Sequence, residues 1–289
     1  MKILSRLGIY LSLLMVTWLP CHTNPSGDSS SFQDSVQIDR LILVGGASGV
    51  AFALGHGVLN NLWWKGAEAP FHVNTTQDYL YALNADKIGH AFFAQFASSA
   101  YSRAFLWCGL DSSTSAWAGF GIAMSYQTYI EIRDGFSKDY GFSWGDMSAN
   151  VIGASLPLIK QYVPAVRPFD LQVSFYPSSK FRSGAYNAII DDYESTTHWI
   201  AFQPFSSLPV AWQAWYPKWI GLAVGHTVAN LDGTGGGNHR LFISLDWNLK
   251  ELPGLPRWLH TIFDVLHFYH LPAPAVEVYP NVVWYGFKF

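Results

Sequence analysis

The chain has 289 residues, a formal net charge of −3, and few charged side chains, 13% of the total. Soluble proteins carry about 25% charged residues, so this composition, together with 13 Trp, predicts a protein that meets a membrane or its interface. The negative net charge, with no basic stripe between aromatic residues, predicts that nucleic acid is not a partner. The expected partner is a membrane lipid or another envelope component, and the composition leaves the oligomeric state open.

The N-terminus has the parts of a secretory signal. Lys2 and Arg6 precede an apolar run over residues 7–19, and a polar stretch begins at Thr23. This order of charged, apolar and polar segments is typical of a signal peptide. We therefore predict a signal peptide at 1–22, a polar linker at 23–37, and export to the cell envelope, at the outer membrane or facing the periplasm.

Cys21 lies where a lipoprotein signal places the cysteine that becomes acylated. Pro20 precedes it, and the small residues usual before such a cysteine are missing. Two alternatives remain open: Cys21 carries a lipid anchor, or it leaves with the signal peptide or stays as a bystander thiol.

Residues 38–165 carry long apolar segments with polar ends, which predict helices. The expected helices cover residues 38–64, 76–102, 117–133 and 146–162. The first is long enough to cross about 30 Å of hydrocarbon. These helices predict an N-terminal apolar four-helix bundle that either lies in a membrane or packs as a soluble unit.

After Pro168 the apolar residues alternate with polar ones, which predicts strands. The expected strands cover residues 169–175, 199–202, 219–228, 241–249, 275–279 and 282–289, with an amphipathic helix at 256–269. The predicted fold class is thus α+β, with a mainly antiparallel β region over 166–289. The strands are either of the outer-membrane type or a small sheet packed on the bundle. On the helix, we expect His260, His267 and His270 along a wet or interfacial face.

Polar residues in the helical half recur four apart. Asp86 precedes His90, Gln127 precedes Glu131, and Asp146 precedes Asn150 by that spacing, which places each pair on one helix face. Buried carboxylates need partners, hydrogen bonds or a cation. The sequence therefore predicts one shared buried polar site, whose candidate residues are Asp86, Lys87, His90, Glu131, Asp134, Asp146 and Asn150.

This site supports different hypotheses about function. In one hypothesis, the protein is a metal-dependent hydrolase that acts on a lipid or cell-wall substrate. It binds a divalent metal through His90, Glu131, Asp134 and Asp146, and Lys87 stabilises the negative charge that develops in the reaction. These ligands do not follow a recognised zinc or di-metal spacing, and the sequence has no nucleophile elbow or phosphate loop.

In the competing hypothesis the polar residues have a structural role. Lys87 and Arg133 neutralise the carboxylates, Asp146 caps a helix, and Asn150 bridges to a neighbour. A third hypothesis gives the same residues a lipid headgroup to bind without turnover. We favour a structural or binding role, and the sequence does not decide whether the protein is an enzyme.

The polar residues also carry a resemblance. The order Asp-Lys-x-x-His, Glu-x-x-Asp and Gly-Phe-Ser-x-x-Asp-x-x-x-Asn-x-x-Gly-Ala is similar to the YfiM-type family of predicted bacterial envelope lipoproteins, and more distantly to VanZ-like membrane proteins. The matching residues are Asp86, Lys87, His90, Glu131, Asp134, Gly141, Phe142, Ser143, Asp146, Asn150, Gly153 and Ala154. The resemblance covers about residues 60 to 165 and implies an envelope lipoprotein of unknown activity.

Overall fold

Helices fill the first half of the chain and strands the second. The computed structural model describes residues 36–75 and 77–289. The long helices are α1 (Ile38–Leu62), α2 (Ala85–Trp107), α3 (Ser112–Gly135), α4 (Trp144–Tyr162) and α5 (Arg257–Leu266); the strands are β1 (Phe169–Phe175), β2 (Thr196–Phe202), β3 (Ile220–Ala229), β4 (Asn238–Trp247), β5 (Ala273–Tyr279) and β6 (Val283–Lys288). The predicted signal peptide, Cys21 and most of the linker lie outside the described residues.

The six strands form one antiparallel sheet in the order β1-β2-β3-β4-β5-β6. Each strand pairs with the next one along the chain, so short connections suffice. The alternating pattern after Pro168 predicted these strands, and the α+β fold class is confirmed.

Three of the four N-terminal helices, α2, α3 and α4, pack against one another. The crossing of α2 and α4 is close, because a Cβ added at Gly153 would lie 1.9 Å from the carbonyl oxygen of Ala91. Glycine lets the two backbones approach. The helix α1 lies outside this three-helix unit, so the predicted four-helix bundle is not confirmed.

One side of α1 contacts the three-helix unit, through its aromatic and polar side chains. Arg40 donates to the carbonyl oxygen of Trp107 at 2.7 Å, and the His56 ring lies 2.5 Å from the Tyr129 hydroxyl. Many of its aliphatic side chains are exposed. Among the described residues, α1 is the helix that has the length and apolar composition to cross a membrane, with a mean hydropathy of 1.7.

The start of α2 differs from the prediction. Ala82, Leu83 and Asn84 have φ values of 46°, 53° and 63°, and this left-handed backbone cannot continue into a right-handed α-helix. The helix therefore begins at Ala85 rather than near residue 76. The preceding residues form turns, which bring Asp78 back against the helix ends.

The predicted wet face is wrong for His267 and His270, because both residues are buried, whereas His260 is exposed on α5. The helix α5 ends at Leu266, and the chain then runs beside β1, with Tyr269 in a parallel bridge to Val173. His270 stacks on Trp199 at a centroid distance of 3.9 Å. His267 makes a 3.0 Å hydrogen bond to Asp170.

Asp170 joins the helical and β halves. Burial alone would raise the pKa of this carboxyl, but the hydrogen bond from His267 and the charge of Lys160 outweigh it and lower the pKa to about 2. A lowered carboxyl pKa stabilises the fold above the unfolded value of 3.8, and this contribution disappears as the pH falls towards 2.

We therefore expect Asp170→Asn to lower the free energy of unfolding by about 2 kcal/mol at pH 6 and by much less at pH 2. Denaturant unfolding of wild type and variant across this range measures the difference. A difference that stays constant with pH would show that ionisation of Asp170 does not stabilise the fold.

Candidate functional site

The polar residues of the helical unit meet at one end of it. Asp86, Lys87 and His90 lie near the start of α2, Asp146 and Asn150 near the start of α4, and Glu131 near the end of α3. The N-terminal ends of helices carry partial positive charge, which favours the carboxylates of Asp86 and Asp146 in the first turns. The loop before α2 adds Asp78.

Lys87 is the centre of one half of this polar cluster. Its Nζ atom lies 2.7 Å from Asp78 Oδ1, 3.1 Å from Asp146 Oδ1 and 3.5 Å from Asp86 Oδ2. Gly145 leaves room for the lysine, because a Cβ there would lie 2.6 Å from Lys87 Cε. Lys87 is thus held by three carboxylates.

Ser143 links the three helices. Its hydroxyl donates to Asp78 Oδ1 at 2.6 Å and accepts from the Asp146 backbone N–H, so it caps α4. Its own N–H donates to Glu131 Oε2 at 3.2 Å. The cap is therefore Ser143, and the prediction that Asp146 caps the helix is wrong.

His90 lies in the other half of the cluster, which is less completely bonded. Its Nδ1 atom lies 3.3 Å from Asn150 Oδ1 and 3.6 Å from Glu131 Oε1, and its Nε2 atom lies 4.0 Å from Asp146 Oδ2. One ligand atom from each of His90, Glu131 and Asp146 lies within 4.8 Å of the others.

Several polar atoms of the cluster are buried without a hydrogen-bond partner among the described residues. They are Glu131 Oε1, Asn150 Nδ2 and Asp86 Oδ1. An unsatisfied buried polar atom is costly. The His90 side chain is 25% exposed, so the His90 half of the cluster reaches the surface.

Burial dominates the electrostatics of the site. It raises the pKa of Glu131 to about 9 and that of Asp86 to about 7, with the charge of Asp146 acting in the same direction. Burial lowers the pKa of His90. It would also lower the pKa of Lys87, but the hydrogen bond to Asp78 and the nearby carboxylates raise it instead. Lys87 is therefore charged and His90 neutral at pH 7.

Asp134 and Arg133 lie apart from the His90 half, although the sequence placed them in the site. Asp134 accepts a 2.6 Å hydrogen bond from Trp64 Nε1, and the Arg133 guanidinium lies 5.2 Å from the centroid of the Trp64 ring. Burial raises the pKa of Asp134 to about 7. Lys87 rather than Arg133 pairs with the clustered carboxylates.

Sequence reasoning missed Asp78 as a site residue. It lies in a turn before α2, and its contact with Lys87 spans nine residues that include the left-handed segment. Four-residue spacing finds neighbours on one helix and carries no signal for such a loop. The signal that the sequence offered was that Asp78 is a carboxylate close in sequence to Asp86 and Lys87.

The fold and the cluster define an α+β protein with a buried polar site between three helices. Residues 74–161 match the model of a family described as "Predicted periplasmic lipoprotein (DUF2279)". This range contains every cluster residue described above, and also Asp134. No curated protein and no solved structure matches the chain.

The family match confirms the prediction of an exported protein of the cell envelope that faces the periplasm. It also supports the predicted envelope lipoprotein domain of unknown function. The lipoprotein description agrees with acylation of Cys21, a residue outside the matched range, and that acylation stays a prediction. The more specific YfiM-type and VanZ-like resemblances also stay predictions.

Proposed function

We propose that this envelope protein binds a divalent metal ion through His90, Glu131 and Asp146. The observation that carries the proposal is the Glu131 carboxylate: its residue is 1% exposed, and its Oε1 atom lacks a hydrogen-bond partner among the described residues while lying 3.6 Å from His90 Nδ1. A cation between these side chains would satisfy that oxygen. The other half of the cluster, around Lys87, has the structural role.

The balance of charge supports a cation at this place. Among the described residues, the cluster holds four carboxylates, those of Asp78, Asp86, Glu131 and Asp146, and one ammonium, that of Lys87. Lys87 contacts three of them and does not reach Glu131 within ion-pair distance. Buried carboxylates are stable only when protonated, paired or bound to a cation, so Glu131 needs either a proton or a metal.

One imidazole and two carboxylates suit Zn²⁺ or Mn²⁺. Asn150 fits a supporting role, because its Oδ1 atom can accept a hydrogen bond from His90 Nδ1 at 3.3 Å, which orients the ring and leaves Nε2, 4.0 Å from Asp146 Oδ2, to bind the metal. Three protein ligands leave coordination positions open. On the exposed side of His90, these positions suit a phosphate or carboxylate of a lipid headgroup or cell-wall polymer.

Binding fits the cluster better than hydrolysis does. Lys87 donates hydrogen bonds to Asp78 and Asp146, so its charge is already compensated and does not serve to stabilise an oxyanion. We therefore retain the metal and set aside the hydrolase hypothesis.

The helix α1 supports a location at the membrane. Its 25 residues correspond to about 37 Å of helix, more than the roughly 30 Å of a hydrocarbon core. Only 6% of its most apolar 18-residue window is buried. We infer that α1 anchors the metal-binding domain to a membrane.

The metal proposal is tested by stripping the purified protein with a chelator and titrating it with Zn²⁺ or Mn²⁺ in a calorimeter. We expect one equivalent to bind. Saturation at about 100 times Kd should raise the free energy of unfolding by about 2.7 kcal/mol. Glu131→Gln and His90→Ala should each weaken binding by about tenfold or more.

Asp134→Asn is the matched control, because it removes a second, partly buried carboxylate on α3 that hydrogen-bonds to Trp64 outside the proposed site. It should bind the metal as tightly as the wild type. Thermal unfolding of each metal-free variant verifies that it is folded. Equal affinity in the wild type and in folded Glu131→Gln would refute the proposal, as would the absence of saturable binding.

A further inference from the structure

The inner face of the sheet carries its charged and most of its polar side chains around a small apolar cluster of Trp199, Ala223 and Phe242, and the outer face is mainly apolar. It curves so that side chains from distant strands meet on the inner face: Gln172 of β1 donates to Asp246 of β4, and Lys288 of β6 donates to Thr197 of β2. Polar groups on a sheet face usually point to water, with the apolar groups buried. Here the order is reversed.

Hydrogen bonds satisfy much of this polar inner face. Trp199 Nε1 donates to Ser174 Oγ at 2.8 Å. Arg240 makes a two-point contact with Glu277, and Tyr285 donates to the same carboxylate. Polar side chains that are paired in this way can be buried away from water without a large desolvation cost.

Apolar side chains form a continuous row on the outer face. Strand register places Ile200, Val224, Ile243, Val276 and Trp284 side by side across β2 to β6. Ile200, Val224 and Ile243 are each more than 50% exposed, and Trp284 is 80% exposed. A contiguous exposed apolar patch of this kind marks an interaction surface.

Charged residues are missing from this outer face. The positions of β2 to β5 that alternate with the inner ones hold no Asp, Glu, Lys or Arg; they are Thr196, His198, Ile200 and Phe202 of β2, Ile220, Leu222, Val224, His226 and Val228 of β3, His239, Leu241, Ile243, Leu245 and Trp247 of β4, and Pro274, Val276 and Val278 of β5. At β1 the same face packs against Phe92 and Phe96 of α2. On β2 and β3 this face is also partly covered, because Thr196, His198 and Val228 are buried. Its open part runs from Ile200 and Val224 across β4 and β5.

Aromatic residues lie at both ends of the strands that carry this row. Trp219 and Trp247 lie 6.0 Å apart at one end, and the β2–β3 connection that leads into this end carries the exposed Trp212 and Trp215. Tyr279 lies at the other end of β5 and is 53% exposed. Trp and Tyr favour the headgroup level of a bilayer, where one end of the ring is apolar and the other wet.

We propose that the outer face of β2 to β5 rests on a lipid bilayer, with its aliphatic row against the acyl chains and its terminal aromatic residues among the headgroups. The reversed polarity, the lack of charge and the aromatic ends are together the pattern of a lipid-facing sheet. A face that met another protein would be expected to carry a charged or polar rim.

The sheet lies on the bilayer rather than crossing it. Among the described residues, β6 pairs with β5 along one edge, and no strand pairs with its other edge. An open strand edge in hydrocarbon leaves backbone N–H and C=O groups unsatisfied. An interfacial position exposes the outer face to acyl chains while this edge stays hydrated.

Photo-crosslinking tests the contact directly. Benzoylphenylalanine is placed at position 243 or 224 of the full chain, which is reconstituted into vesicles of phosphatidylethanolamine and radiolabelled phosphatidylglycerol and then irradiated. Ser148, exposed on α4, is the control position. We expect severalfold more labelled lipid on the protein with the probe at 243 or 224 than at 148.

The other outcomes overturn the proposal. A crosslinked dimer at positions 243 and 224, without labelled lipid, would assign the face to a second copy of the chain. Lipid labelling no greater than at position 148 would mean that the face meets water or another segment of the same chain. Two probe positions and thermal unfolding of each variant guard against a misfolded protein. The result does not depend on whether the helical cluster binds a metal.

Discussion

Replacing Lys87 by methionine is expected to lower the free energy of unfolding by about 3–5 kcal/mol. Lys87 lies within 3.5 Å of Asp78, Asp86 and Asp146 and is the only Lys or Arg within ion-pair distance of them among the described residues. Without Lys87, these carboxylates have no cationic partner. They must either take up protons or remain buried as unpaired charges. Denaturant unfolding at pH 7 measures the loss.

Asp264→Asn is the control for this prediction. It removes an ion pair with Arg103 at 2.9 Å, in which each side chain is about one-third exposed, and such surface pairs contribute about 0–1 kcal/mol. If Lys87→Met costs no more than this control, the three carboxylates do not depend on Lys87, and the structural role that we assign to its half of the cluster is wrong.

Periodicity predicted most of the elements because it reflects which side of a helix or strand is buried. The alternation over residues 169–175 matches β1 to the residue. The start of α2 was not predictable in this way. Residues Tyr79 to Asn84 are chemically compatible with a helix, and the left-handed backbone at Ala82, Leu83 and Asn84 depends on tertiary contacts that a local pattern does not contain.

Helix geometry predicted the residues of the site that lie on one face of the same helix. Four-residue spacing placed Asp86 with His90 and Asp146 with Asn150, and in the structure these residues lie together. The same reasoning could not exclude Asp134. This residue is one turn beyond Glu131, and only the position of Trp64, supplied by the end of α1, draws its carboxylate away.

Alternation predicted the strands of the sheet but could not tell which of their faces meets water. Ile243 and Ser244 are neighbours in β4, and the aliphatic residue is exposed while the serine is buried. The opposite assignment is equally compatible with a period of two. The curvature of the sheet, set by contacts between strands far apart in sequence, decides it.

Gly153→Ala is expected to destabilise the protein by about 3 kcal/mol or more. The added Cβ would lie 1.9 Å from the Ala91 carbonyl oxygen, and because this is backbone, the two helices must move apart. His90 precedes Ala91, and Asn150 lies one turn before Gly153, so the 3.3 Å contact between His90 and Asn150 should lengthen too. Metal affinity should therefore fall together with stability.

Gly121→Ala is the matched control, because a Cβ at this position of α3 has no neighbour within 4 Å. Alanine is the better helix former by about 1 kcal/mol, so this variant should be as stable as the wild type or more so, with unchanged metal affinity. Denaturant unfolding and calorimetry on the two variants give both quantities. A stable Gly153→Ala protein would contradict the close crossing of α2 and α4. A destabilised variant that still binds metal with wild-type affinity would show that metal binding does not depend on the crossing of α2 and α4. The ligands would then hold their positions without the support of Asn150.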